Sequence, residues 1–190
     1  MATDTRDRLV RSTSRLLRTQ GYAATGLNQV MAEAAAPKGS MYFHFPGGKV
    51  ELAAAAVDLF AERSTARMRE FLADHDTVSQ AVTAIFDAYI DHLDRTAYTE
   101  GCAVATVALD AASTNATLAE ATGRAFHAWT GMLAEALVAE GRTETEAHNL
   151  ATLVIATIEG TITMAKGEQS TEPIAAARDA LGAILSPGPT

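Results

Sequence analysis

The stretch of sequence that decides the fold is GYAATGLNQVMAEAAAPKGSMYFHFPGGKV, residues 21–50. The spacing of its apolar residues predicts a short helix, a tight turn and a second, very short helix that ends on Tyr42-Phe43-His44-Phe45. A helix of barely two turns buries too little surface to support a core. Because small, cationic and aromatic side chains share it, the pattern is typical of an element that enters a DNA groove.

The residues before this stretch predict an amphipathic helix over 5–20, which ends at Gly21 because glycine adopts a left-handed conformation at little cost. One face of this helix is apolar and consists of Leu9, Thr13, Leu16 and Leu17. Another face is basic and consists of Arg8, Arg11, Arg15 and Arg18. The buried face of the second helix is expected to contain Leu27, Val30, Met31 and Ala34.

Capping residues predict where the next helices begin. Thr25 is expected to cap the second helix with its hydroxyl, and Pro37 to occupy the first turn of the third helix, where its missing N–H costs nothing. Met41 and Phe45 are expected to be core residues of that third helix. Lys49 stands at the start of a long fourth helix.

Residues 5–55 resemble the tetracycline-repressor (TetR) family of bacterial transcription regulators. The residues that carry the resemblance are Thr5-Arg6, Gly21-Tyr22, Thr25, Glu33-Ala34, Lys38-Gly39-Ser40, Tyr42, Phe45-Pro46, Lys49 and Leu52. The phrase PKGSMYFHFPGGKVELAAAAV is similar to the LmrA-like branch of that family, as is Gly101-Cys102 followed by Ala108-Leu109-Asp110. The resemblance implies a dimeric DNA-binding repressor that a small molecule releases from its operator.

Two positions depart from the family pattern. The family usually places glycine in the turn between the second and third helices, where this chain has Ala35. If that position requires a positive φ, alanine costs about 1 kcal/mol there. The family also tends to have phenylalanine where Leu17 stands. Neither departure removes a group that is expected to contact DNA.

Composition and pattern predict an all-α fold. The chain has 190 residues, of which 48% are hydrophobic and only 6% aromatic, and no segment alternates long enough for a sheet. With the resemblance, we expect about nine helices in an N-terminal three-helix helix-turn-helix DNA-binding domain (1–48), a C-terminal helical ligand-binding and dimerisation domain (49–186) and a flexible tail (187–190). Beyond residue 48 the predicted helices cover 49–73, 77–95, 102–112, 116–140, 144–166 and 173–185.

The charge distribution favours double-stranded DNA as a partner. The net charge of −8 at first argues against nucleic acid. However, residues 1–50 carry seven basic and three acidic groups, a net charge of +4, whereas the remainder carries −12. Because screening limits the field of a charge to about 10 Å, the two parts act separately. The acidic part also helps to orient the basic end toward the duplex.

Several other classes of protein are not expected. No apolar run approaches the ~18 residues that span a bilayer, and the polar N-terminus shows no signal peptide. We therefore expect a cytoplasmic, nucleoid-associated protein without a membrane partner. Cys102 is the only cysteine and the five histidines form no metal-binding motif, so neither a metal nor a cofactor is expected.

Two alternatives remain open at this point. A small helical enzyme could use Cys102 as nucleophile, but it would need a base nearby, and a buried structural cysteine is the commoner case. A helical interaction module without DNA is the other alternative, against which the basic N-terminal third argues. No catalytic constellation is visible, so we do not expect an enzyme.

The second and third helices are expected to bind the major groove. Lys38 is the best candidate for reading a base edge, most naturally O6 and N7 of guanine. Gly39 would allow close backbone approach, and Pro37 would contact a thymine methyl group. Asn28 and Gln29 are secondary candidates for base or phosphate contact. The expected phosphate contacts are Thr25, Ser40, Tyr42, His44 and Lys49.

The remaining candidate sites lie beyond residue 48. Residues 150–164 are apolar around most of the helix circumference, which indicates burial from two sides. In the family the last two helices of each subunit form a four-helix bundle; the alternative is that the second face packs within one subunit. The expected dimer interface consists of Leu153, Ile158, Ile162, Leu181 and Ile184. A mostly apolar cavity for a small apolar or amphipathic effector is expected to be lined by Phe60, Phe86, Tyr89, Cys102, Phe126, Trp129, Met132 and Met164.

Overall fold

A computed structural model describes residues 2–37 and 39–186. Within those residues the chain forms nine α-helices and no strand, which confirms the predicted all-α class. The helices are α1 (Ala2–Ala24), α2 (Leu27–Glu33), α3 (Ser40–His44), α4 (Gly48–Asp74), α5 (Val78–Arg95), α6 (Ala103–Val107), α7 (Ala116–Ala139), α8 (Glu144–Glu168) and α9 (Glu172–Leu185). A single π-helical turn, Ala108–Ala112, directly follows α6.

The first of two compact units combines Met1–Arg63 with Cys102–Ala125. Helix α1 is its centre and packs against α2, α3 and α6. The predicted apolar face of α1 is buried, as are Val30, Met41 and Phe45 of the helix-turn-helix. Gly21 interrupts α1 with a positive φ of 79° and ψ of 176°, so the helical turn that follows it is a separate segment.

The second compact unit combines Ser64–Gly101 with Phe126–Thr190. Here α5, α8 and α9 pack against one another around buried Val82, Phe86 and Ile174. An ion pair between Arg178 of α9 and Asp87 of α5, 2.6 Å apart, adds a polar contact at the surface. The predicted boundary after residue 48 separates a DNA-binding domain from a ligand-binding domain, whereas the two compact units each combine two separate parts of the chain. The boundary stays a prediction.

Two predicted helix starts are wrong. Helix α2 begins at Leu27 without a side-chain cap, while Thr25 is buried and donates its hydroxyl to the carbonyl of Gly21 at 2.6 Å. Helix α3 begins at Ser40 rather than at Pro37. The carbonyl of Pro37 instead accepts two hydrogen bonds from Ser40, one from its backbone N–H at 2.9 Å and one from its side-chain hydroxyl at 2.7 Å. Both residues stabilise turns that precede a helix, and such turns favour the same residue types as helix starts.

The turn between α2 and α3 requires a left-handed residue, and Ala35 supplies it with a φ of 48°. The N–H of Ala36 binds the carbonyl of Met31 at 2.9 Å, and the N–H of Ala35 binds that of Ala32 at 3.2 Å. This pair of hydrogen bonds is a Schellman motif, in which glycine is the usual left-handed residue. Ala35 therefore has the positive φ at which an alanine is strained.

Buried threonines bond within their own segments. Thr13, Thr122 and Thr161 each donate to the carbonyl four residues earlier, at 2.8, 2.9 and 2.8 Å. Thr25 does the same with Gly21. Each hydroxyl is thereby satisfied without a partner on another helix.

Helix α8 is long and apolar enough to cross a membrane by length and composition alone, so the expectation that no apolar stretch reaches that length is wrong for this helix. Its buried face, which includes Val154, Ile158 and Ile162, packs inside the second unit. The polar residues Thr157, Glu159 and Thr163 interrupt the apolar sequence. These features are typical of the core helix of a folded domain.

Candidate DNA-binding surface

Two buried residues fix the orientation of the short helix α3. Met41 and Phe45 are almost fully buried, and the guanidinium of Arg6 lies 5.2 Å from the ring centroid of Phe45. Because residues four apart share one face of a helix, Tyr42 and Phe43, which follow Met41, face outward. Tyr42 is 62% exposed and Phe43 78% exposed. Helix α3 therefore presents a rigidly held aromatic surface to solvent.

The other predicted DNA contacts differ in accessibility. Asn28, Pro37 and Gly39 are exposed, and a Cβ added at Gly39 would meet no atom within 4 Å. Gln29 is exposed, but its amide pairs with that of Gln20 at 2.8 Å. Ser40 and His44 are half-buried, with the His44 ring 5.0 Å from that of Phe43. Lys38 lies outside the described residues, so its predicted role in reading a base stays a prediction.

Thr25 is not available for the phosphate contact that we expected. Its side chain is buried and its hydroxyl is already bonded to Gly21. We therefore remove Thr25 from the candidate DNA contacts.

The arginines of α1 stabilise the helix-turn-helix from within. The Nε of Arg8 donates to the carbonyl of Ala34 at 2.9 Å, where α2 ends. Arg15 forms an ion pair with Glu33, and the guanidinium of Arg18 lies 5.5 Å from the ring centroid of Phe60. These contacts hold α2 and α4 against α1, so most arginines of the predicted basic face contribute to packing within the first unit.

Lys49, near the start of α4, is half-buried against the turn that follows Gly21. Its Nζ lies 4.3 Å from the ring centroid of Tyr22 and donates to the carbonyl of Ala23 at 3.4 Å. Burial lowers the pKa of Lys49, and the nearby carboxylate of Asp110 partly opposes that shift. The ammonium group of Lys49 therefore has two contacts on the Tyr22–Ala23 turn.

Sequence reasoning missed Phe43, which is the most exposed aromatic residue of α3. It stands between Tyr42 and His44, both of which are predicted DNA contacts, but its side chain has no polar group that would indicate a phosphate contact. The signal that could have found it is the i, i+4 spacing of Met41 and Phe45. If these two are core residues, Tyr42 and Phe43 must face outward, whereas His44, three residues after Met41, lies nearer the buried face.

Comparison with known proteins assigns this arrangement to a family. Residues 9–56 match the family described as bacterial regulatory proteins, tetR family. Residues 78–180 match the family described as transcriptional regulator LmrA/YxaF-like, C-terminal domain. The chain belongs to the TetR family.

Similar proteins span almost the whole chain. The HTH-type transcriptional regulator LmrA of Bacillus subtilis is 32% identical over 171 residues, which cover 90% of this chain and 91% of that protein. The uncharacterized HTH-type transcriptional regulator YxaF of the same organism is also 32% identical over 171 residues, 90% of each chain. A crystal structure of a TetR transcriptional regulator from Chloroflexus aurantiacus has a TM-score of 0.81 at 30% identity, covering 96% of this chain and 94% of that one. The chain is therefore a DNA-binding transcriptional regulator and not an enzyme.

Cys102 has a structural role in this TetR-family chain. It is buried at the N-cap of α6, where its sulfur accepts the N–H of Ala105 at 3.5 Å. Among the described residues, no three His, Cys, Asp or Glu side chains are grouped closely enough to hold a metal ion.

The residues predicted to line an effector cavity fall into several environments. In the second unit, Tyr89, Phe126 and Met132 are half-buried. Trp129 is buried there, with its ring 5.7 Å from that of Phe126 and its Nε1 donating to the hydroxyl of Thr65 at 3.1 Å. Phe86 is fully buried, as a core residue is. Phe60 and Cys102 belong to the first unit.

Met164 was misplaced by the sequence analysis. It is 52% exposed on the outer face of α8, which is not the position of a residue that lines a buried cavity. Its apolar character instead adds to the exposed face of α8 that Leu153 begins.

The five predicted dimer-interface residues differ in burial, and the interface itself stays a prediction. Ile158, Ile162 and Leu181 are buried within the second unit, so they belong to the core of one subunit. Leu153 is 45% exposed and Ile184 51% exposed, and these two remain available. The sequence showed that α8 is apolar on two sides, but it did not show which side faces inward.

Proposed function

We propose that this TetR-family regulator is a repressor that binds a pseudo-palindromic operator as a two-fold dimer and is released by a small apolar or amphipathic molecule. The observation that carries the DNA-binding part is the outward face of α3, where exposed Tyr42 and Phe43 and half-buried His44 lie between the buried residues Met41 and Phe45. Such a helix reads too few base pairs alone. Two of them, about one DNA turn or ~34 Å apart, would read two half-sites.

The outer face of α8 and α9 supports the dimer. Leu153, Met164 and Ile184 are large apolar residues that one subunit leaves exposed. Between them α8 exposes the small residues Ala156 and Gly160, which permit close approach of another helix. An isologous contact between two copies would remove this apolar surface from water.

Two half-buried aromatic residues and one methionine of the second unit support the proposed effector site. Tyr89, Phe126 and Met132 combine apolar surface with one hydroxyl, as effector-binding residues do. Acidic residues in the wall of such a site would favour a cation, but Asp87 pairs with Arg178, and Glu100 lies 3.3 Å from His92. To reduce operator occupancy from 99% to 1%, the effector would have to favour the released state by about 5.5 kcal/mol.

The test is a fluorescence-anisotropy titration with labelled promoter fragments flanking the gene, repeated with a scrambled duplex. We expect binding to one fragment at least 1,000-fold tighter than to the scrambled duplex, as roughly expected for specific sites. Equal affinity for both duplexes would refute specific operator binding. A reporter whose output falls when the gene is deleted would show activation instead of repression.

The single tryptophan provides a test of the effector part. Trp129 lies beside Phe126, so an apolar molecule that binds there is expected to change tryptophan emission and to release the promoter fragment. A panel of amphipathic probes would be screened for both effects together. Emission changes without release from DNA, across all probes, would contradict the proposed induction.

A further inference from the structure

Asp110 connects the π-helical turn to the DNA-binding helices. Its Oδ2 accepts the N–H of Tyr22 at 2.8 Å and that of Ala23 at 3.4 Å. Both N–H groups follow the interruption of α1 at Gly21, where the helical hydrogen-bond ladder is broken. The carboxylate thus caps a short helical segment across 88 residues of sequence.

Gly21 is what permits this close approach. A Cβ at this position would lie 2.5 Å from the Oδ2 of Asp110 and 3.2 Å from the Cγ2 of Thr106. Its φ of 79° also lies in the region that favours glycine. The geometry at Gly21 therefore serves the contact with Asp110 as well as the end of the first helical segment.

The residues that Asp110 holds are the same ones that hold Lys49. Tyr22 gives Asp110 its N–H and offers Lys49 the face of its ring, 4.3 Å from Nζ. Ala23 gives Asp110 its N–H and offers Lys49 its carbonyl. A substitution at Asp110 would therefore shift the Tyr22–Ala23 turn, which the ammonium group of Lys49 contacts.

We propose that Asp110 is a positioning residue for DNA binding, which fixes the Tyr22–Ala23 turn and so places the Lys49 ammonium for a phosphate contact. This inference rests on the proposed DNA-binding role of Lys49. Asp110 itself touches no DNA, because its carboxylate would repel phosphate and is directed at backbone N–H groups. Its contribution to operator affinity passes through Lys49.

A double-mutant cycle on operator affinity tests that route. Asp110→Ala, Lys49→Ala and the double variant would be compared with the wild type by anisotropy titration. We expect Asp110→Ala to weaken binding about tenfold in the wild-type background and less than about twofold when Lys49 is already alanine. Equal losses in both backgrounds, or no loss in either, would overturn the proposal. Leu109→Ala is the matched control, because Leu109 is the adjacent residue and is 80% exposed.

A second measurement does not depend on DNA. The chain has only three lysines, Lys38, Lys49 and Lys166, so their side-chain NMR signals can be assigned by substitution. Asp110→Asn keeps an oxygen that can accept the Tyr22 N–H but removes the negative charge. Because that charge favours the protonated lysine, the pKa of Lys49 should fall in this variant, whereas that of Lys166 should not change. An unchanged pKa of Lys49 would contradict the close placement of Lys49 beside the Asp110 carboxylate on which the proposal depends, even if Asp110→Ala fails to fold.

The two experiments separate this inference from the proposed function. If the wild type binds no duplex, the operator proposal fails while the NMR result still reports on the contact. If the wild type binds and Lys49→Ala weakens binding but Asp110→Ala does not, only the inference about Asp110 fails.

Discussion

Ala35 carries a backbone cost that the helix-turn-helix tolerates. Its φ of 48° places an L-residue with a Cβ in the left-handed region, at the position of a Schellman motif where glycine is usual. The two hydrogen bonds of the motif and the contact of Arg8 with Ala34 hold the turn in this conformation. The strain is stored next to the residues that are proposed to read DNA.

Replacement of Ala35 by glycine should relieve this strain. We expect Ala35→Gly to raise the free energy of unfolding by about 0.5–1 kcal/mol, or the midpoint of thermal unfolding by roughly 2 °C. Ala32→Gly is the matched control, because Ala32 is exposed inside α2 and glycine there should destabilise by about 0.5–1 kcal/mol. Destabilisation by both variants would show that Ala35 is not strained.

The hydroxyl of Tyr42 should matter for DNA and not for folding. Tyr42 is exposed on α3, so Tyr42→Phe should leave the melting temperature unchanged and weaken binding to all duplexes alike, by about tenfold if each hydroxyl binds a phosphate. Tyr98→Phe is the control, because its hydroxyl binds Asp94 at 2.9 Å in the other unit. Full affinity of Tyr42→Phe for every duplex would remove the phosphate contact.

Side-chain types predicted burial better than they predicted partners. The apolar face of α1 and the core positions Met41 and Phe45 could be read from helical spacing alone. The role of Thr25 could not, because a threonine before a helix can cap it or bond backward to the preceding segment. The position of Asp110 against Tyr22 depends on a contact between distant parts of the chain, which one sequence does not reveal.

Helix α8 has two apolar faces, one buried within the subunit and one exposed. Ile158 and Ile162 pack inside the subunit, whereas Leu153 and Met164 lie on the outer face. The sequence identified α8 as a helix with apolar residues on more than one side, which is the signature of burial from two directions. It could not assign the faces, because both consist of aliphatic residues at helical spacing.

Substitutions on the two faces should therefore have separable effects. Leu153→Glu should leave each subunit folded but weaken the proposed dimer by at least about 100-fold, since each dimer loses two leucine contacts worth about 1.5–3 kcal/mol apiece. Ile158→Ala should instead lower the free energy of unfolding by about 2–5 kcal/mol. Sedimentation measures the first effect and chemical denaturation the second. A Leu153→Glu variant that stays dimeric at low micromolar concentration would place the interface elsewhere.

The end of α6 is where helical prediction was least informative. The sequence predicts one helix over 102–112, and the structure has α6 followed by a π-helical turn of five residues. A π turn requires no particular residue type, so hydrophobic spacing cannot reveal it. Its consequence is the direction of Asp110, which lies toward Gly21, while Leu109 is exposed.

For the whole molecule, the separation of charge predicts how binding depends on salt. Several arginines of α1 have partners within the first unit, so we count only Lys38 and Lys49 as cationic phosphate contacts, four in a dimer. The slope of log K against log salt concentration should then be roughly −4. A slope near −10 would show that the α1 arginines also contact phosphates. Lys49→Ala in both subunits should bring the slope closer to zero by about 2.

The buried threonines give the interior a mechanical property. Thr13, Thr25, Thr122 and Thr161 all satisfy their hydroxyls within their own segments. At these positions the contacts with neighbouring helices are therefore made by methyl groups, which impose no directional bond. Within each unit, a helix could slide by a fraction of an ångström there without breaking a buried hydrogen bond. At these four positions the resistance to such shear would come from side-chain packing alone.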